Sequence, residues 1–181
     1  MILGSAPFYT HSFGAIGERL ETARRTTFFQ WFHFEQTEGK REDPGEAVRF
    51  RPSGDKFHDL CYLDVLVAPD GGVVQMELVV RRSFIDGPDQ LFAQDLVKSF
   101  LLASLPDACQ NILQDFIREI SSLGRDGETP GYLVFLGTRK DWKAQTGWTN
   151  LILANLLLTE TPSFVVHLSA NPAAPNARRI E

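Results

Sequence analysis

The 181-residue sequence predicts an α+β domain: an antiparallel β-sheet with an N-terminal helix and a central helical pair, at about 88–123, packed on one face. Three observations carry that reading. Residues 60–86 hold two β-rich runs around Pro69-Asp70-Gly71-Gly72, whose glycines supply the positive φ angles of a tight hairpin. Residues 88–123 place apolar side chains at helical spacing. Further strand-like runs follow, so strands group before and after a helical block. The domain is expected to occupy residues 1–170, with 171–181 an extended or poorly ordered tail.

Taken in order, residues 13–25 allow a short amphipathic helix, with Ile16, Leu20 and Ala23 at helical spacing. Gly14 and Gly17 weaken it, since glycine costs about 1 kcal/mol inside a helix. The stretch Thr26 to Gln36, TTFFQWFHFEQ, packs aromatic rings so densely that a pleated strand is the natural expectation. Residues 37–47 are charged, contain Pro44-Gly45 and show no periodicity, which reads as an exposed loop. A short strand at Val48–Pro52 and a turn at 53–56 lead to the hairpin. On its second arm Val74, Met76, Leu78 and Val80 share one face and Gln75, Glu77 and Arg81 the other, the pattern of a half-buried antiparallel strand.

Pro88, with Asp86 or Asp89 near the cap, starts a helix whose stripe is Phe92, Leu96, Ser99, Phe100 and Ala103. Pro106 ends it and begins a second helix, closed by Gly124. Residues 131–137 read as a compact buried strand. Residues 150–158 fit a strand or a helix, and 163–169 a strand.

Composition narrows the function. Apolar content of 43% and charged content of 23% are those of a soluble globular chain, and a net charge of −5 argues against a nucleic-acid partner. The longest apolar run, Leu151–Leu158, is too short to span a bilayer. The N-terminus lacks the charged and apolar regions of a signal peptide, which slightly favours a cytoplasmic chain and leaves an exported mature domain open. Two cysteines, Cys61 and Cys109, are too few for a disulfide framework, and two free thiols are the favoured state. No nucleotide-binding, hydrolase-elbow or zinc motif occurs, and four irregularly spaced histidines suggest neither metal nor cofactor.

What remains is the aromatic stretch. Read as a strand, it turns Phe28, Phe32 and Phe34 to the core and Phe29, Trp31, His33 and Glu35 to the other face. A second core layer, a subunit interface or a small apolar-ligand pocket could cover that face, in that order of expectation. Trp142, among Arg139, Lys140 and Lys143, is a further candidate contact. The sequence therefore favours a non-catalytic binding or assembly module that self-associates or meets a protein partner. The enzyme alternative requires an acid/base site converging from His33, Glu35, His58 and Asp64.

Overall fold

In a computed structural model of the chain, which describes residues 18–42, 45–104, 132–136, 150–156 and 160–169, the Pro69–Gly72 turn forms as the sequence predicts. Gly71 takes φ +87°, Ala68 donates to the Gly72 carbonyl at 2.8 Å, and the Asp70 carboxylate accepts the Gly72 N–H at 2.9 Å. The turn joins β3 (Cys61–Val67) to β4 (Val73–Arg81). Ahead of them lie α1 (Leu20–Arg24), α2 (Thr27–Trp31), β1 (Phe34–Glu42) and β2 (Gly45–Pro52). After them come α3 (Arg82–Ile85), α4 (Gln90–Ser104), β5 (Tyr132–Leu136), β6 (Asn150–Leu156) and β7 (Ser163–Ser169).

The described strands make one seven-stranded sheet in the order β1-β2-β3-β4-β7-β6-β5. Every neighbouring pair is antiparallel. Two meanders, β1–β4 and β5–β7, thus meet where β4 pairs with β7. The class is α+β with an antiparallel sheet, as expected. Residues Asn150–Leu156 resolve to strand, because both neighbours supply ladder partners that an isolated apolar run cannot show.

Strand alternation sorts the side chains. Val48, Phe50, Leu63, Val65, Met76, Leu78, Val80 and Val166 face a core completed by Phe28, Phe29, Phe32, Phe84, Leu96 and Phe100 from the helices. Full burial of each large side chain stabilises the fold by about 1.5–3 kcal/mol. Cys61 belongs to this core, only 2% exposed and a free thiol, while Cys109 lies outside the described residues. Burial pushes the thiol up to about 12, with Arg51 pulling weakly the other way. A group so raised stays protonated throughout the neutral range, and the thiolate is the nucleophile. Iodoacetamide at neutral pH is therefore expected to spare Cys61 in the native protein and alkylate it in denaturant, read by peptide mass spectrometry. Rapid native labelling would contradict the burial.

Two expectations fail. The aromatic stretch is not one strand: Thr27–Trp31 is helical, Phe32 and His33 turn, and the strand begins at Phe34. Phe28 and Phe32 are one helical turn apart, with Phe29 beside them, and all three are buried, which is 3.6-residue periodicity. Tertiary packing overrides the aromatic strand propensity. The bend falls at His33, whose φ of +49° is left-handed, and the Ser53 N–H fixes it by donating to the His33 carbonyl at 2.8 Å.

Nor are residues 37–47 a loop. β1 runs to Glu42 and β2 starts at Gly45. Among the described residues β1 is an edge strand, hydrogen-bonded on one side only. Its exposed Glu38, Lys40 and Arg41 and the irregular register between Gln36 and Glu38 discourage further strand pairing. The second helix expected at 106–123, Trp142 and the 171–181 tail lie outside the described residues. No helix among the described residues is long and apolar enough to cross a membrane.

Candidate functional site

The aromatic residues singled out by sequence separate in space. Phe29 is buried, 4% exposed, with its ring edge-on to Phe50 at 5.1 Å. Trp31, on the outer side of α2, is 53% exposed. His33 and Glu35 are exposed at the bend and the start of the edge strand. Phe29, His33 and Glu35 still border one shallow depression, with Arg24 and Gln36 closing it through an Arg24 Nη2–Gln36 Oε1 hydrogen bond of 3.0 Å. The single sheet face that would have held Phe29, Trp31, His33 and Glu35 together does not form, because α2 replaces the strand.

Trp31 instead belongs to a corner. Its neighbour Phe32 meets Phe92 of α4 edge-on at 5.1 Å, and Phe92 stacks on Phe57 at 4.6 Å, nearly parallel at 9°. Phe57 stacks in turn on Phe84 at 5.1 Å. This run of rings ties the end of α2 to the first turn of α4. Trp31, Leu91 and Phe92 stand 53%, 73% and 39% exposed, the exposed large hydrophobics among the described residues. Scattered exposed apolar residues are ordinary, but these three lie on the two segments that the Phe32–Phe92 contact joins. Lys56 Nζ pairs with Asp89 Oδ1 at 2.8 Å.

The outer sheet face carries a second polar constellation. Strand register sets Arg49 opposite Asp64, Asp64 opposite Glu77 and Glu77 opposite His167. Arg49 donates twice to Asp64, 2.7 Å each, and its guanidinium lies 4.2 Å from the Tyr62 ring centre. The Asp64 carboxylate holds the Arg49 guanidinium well above its ordinary range. Burial pushes the Tyr62 phenol up, with Arg49 opposing. His167 Nδ1 lies 3.0 Å from Glu77 Oε2; an ionised carboxylate only accepts, so Nδ1 is the donor. Nε2 is buried and has no hydrogen-bond partner among the described residues. Such an acid-oriented imidazole has the form of a base, but His167 is only 4% exposed.

The four residues of the acid/base alternative are not joined to one another by any hydrogen bond or ion pair among the described residues. Asp64 is engaged by Arg49, and His58 Nδ1 contacts the Pro52 carbonyl at 3.3 Å. No group of three or more His, Cys, Asp or Glu among the described residues is placed to hold a metal. Sequence reasoning missed the Glu77–His167 pair, separated by 90 residues, and the exposure of Leu91 and Phe92. Counting from the turn would have set Asp64 opposite Met76; the register shift between Leu66 and Val67, which the turn does not announce, brings Asp64 opposite Glu77.

The sequence matches no family model, and neither a curated protein nor a solved structure matches it.

Proposed function

We propose that the chain is an assembly module that self-associates through the corner formed by Trp31, Leu91 and Phe92. The observation that carries this reading is the exposure of Trp31, Leu91 and Phe92, on two segments joined by the Phe32–Phe92 ring contact. Tryptophan is strongly enriched among residues that dominate interface energetics. Lys56 and Asp89 pair with each other within the chain, so this pair presents no net charge to repel a second copy. The edge strand, charged and irregular, is a poor alternative route to assembly.

Light scattering over a wide concentration range tests this. The native chain is expected to dimerise. Trp31→Ala is expected to weaken the dimer by about 2 kcal/mol or more, roughly 30-fold in affinity, with an unchanged far-UV spectrum. Leu91→Glu, at the most exposed position, gives the same readout without touching the core. A native chain that stays monomeric at high concentration rules the interface out.

A further inference from the structure

We infer that the cavity on the outer face of the sheet, between Arg51 and Arg81, binds a small organic carboxylate. The cavity measures about 270 Å³ and is separate from the Trp31 corner. Its floor is Tyr62, Val79 and Val165, an apolar surface spread over three strands. Arg51 stands on β2 and Arg81 at the end of β4, two strands apart, or about 10 Å by strand spacing. Two long guanidinium side chains at that separation can converge on one ligand group.

The charges are not used up within the protein. Arg51 is positioned by donating to the His58 carbonyl at 3.0 Å and by the Tyr62 ring, 5.3 Å away. Its carboxylate neighbour is Asp59, at 3.9 Å and 79% exposed at the side chain, a weak solvated partner. Arg81 makes no ion pair among the described residues. Glu77 also borders the cavity, but one of its oxygens accepts the His167 Nδ1–H. The Ser163 hydroxyl adds a polar group at the rim, donating to the Thr161 carbonyl at 2.9 Å and keeping lone pairs free to accept.

The lining carries two arginines and two carboxylates; with Asp59 solvated and Glu77 engaged by His167, the arginines over the apolar floor favour an oxyanion with a short hydrocarbon body. The volume corresponds to about nine waters at about 30 Å³ each, which suits a chain the size of hexanoate and is below the usual drug-sized pocket. The planar guanidinium fork matches a carboxylate, so both arginines can donate in pairs.

The test is a titration of the full chain, isotopically labelled for amide NMR, with sodium hexanoate at constant ionic strength. Hexanol and inorganic phosphate serve as parallel probes. Saturable hexanoate shifts confined to residues around Tyr62, Val79 and Arg81, with neither hexanol nor phosphate reproducing them, support the site. Equal binding of hexanol, or binding of phosphate alone, overturns the carboxylate assignment, as does the absence of saturation at millimolar hexanoate. Arg81→Gln, an exposed strand-end change with little risk to folding, is expected to weaken hexanoate roughly ten- to hundred-fold, the range for a lost charged hydrogen bond. Arg51→Lys keeps the charge but loses the fork, and is expected to weaken it less. Glu77→Gln still accepts from His167 and removes a like charge, so tighter or unchanged binding agrees with an anionic ligand; weaker binding means a cationic one and overturns the inference.

Discussion

Phe28→Ala is expected to lower the unfolding free energy by about 3–5 kcal/mol, at the upper end for a core truncation. Phe28 is fully buried at the junction of three elements. Its ring stacks on Phe34 of β1 at 4.7 Å, meets Phe100 of α4 at 5.3 Å, and contacts Phe29 and Phe32 of its own segment at 5.5 and 6.0 Å. Aromatic pairs of this geometry add about 0.5–1.5 kcal/mol each beyond area burial. Neighbours anchored in a strand, in a long helix and in α2 cannot all collapse into the space left behind. α2 has only five residues, too few to be stable alone, so its helicity depends on this docking. Against a typical domain stability of about 5–15 kcal/mol, the loss is a large fraction. A urea titration should show a lower midpoint at nearly unchanged slope. A loss below about 1 kcal/mol would mean that α2 does not pack where the structure puts it.

Phe28 also shows what the sequence could and could not disclose. Its burial was legible, with that of Phe32 and Phe34, because a dense run of phenylalanines must be covered somewhere. The secondary structure was not, because seven aromatic-rich positions satisfy either period and the choice was made by Phe100 and Phe50, distant in sequence. The β3–β4 hairpin was legible for the opposite reason. Its turn chemistry and its alternation are both local, and they agree. The β1 edge was invisible: a strand paired on one side, with charged side chains in water, has the composition of a loop. At the candidate surfaces, Trp31 stood out through local ring density, whereas Phe92 read as part of a helix stripe that α4 in fact turns partly to solvent. Arg81 gave no signal, because a strand-end arginine becomes a cavity wall only when β2, β3 and β7 are set beside it.

Gly45→Ala is the second change expected to cost heavily, about 2–3 kcal/mol, near the top of the range for forcing extra atoms into a packed site. The cause is space and not backbone conformation, since Gly45 is not among the positive-φ glycines. A Cβ built there would lie 1.9 Å from the Val67 carbonyl oxygen and 2.9 Å from its carbon. Both are backbone atoms, so no side-chain rotation relieves the overlap. The backbone they belong to is held on several sides. Val67 pairs with Glu46 and with Val73, and Ala68 is locked into the turn by hydrogen bonds of 2.8 Å to Gly72 and 2.9 Å from Gly71. Relief therefore requires the start of β2 to lift away from β3, or the turn to open. Gly54 supplies the contrast. It has φ +96° and nothing within 4 Å of its would-be Cβ, so Gly54→Ala incurs only the left-handed penalty of about 1–2 kcal/mol. Denaturant midpoints of the two variants separate the causes. Amide exchange should then show new protection losses around Val67 and Ala68 in Gly45→Ala alone; losses confined to residues 53–56 in both variants would assign the damage to the wrong loop.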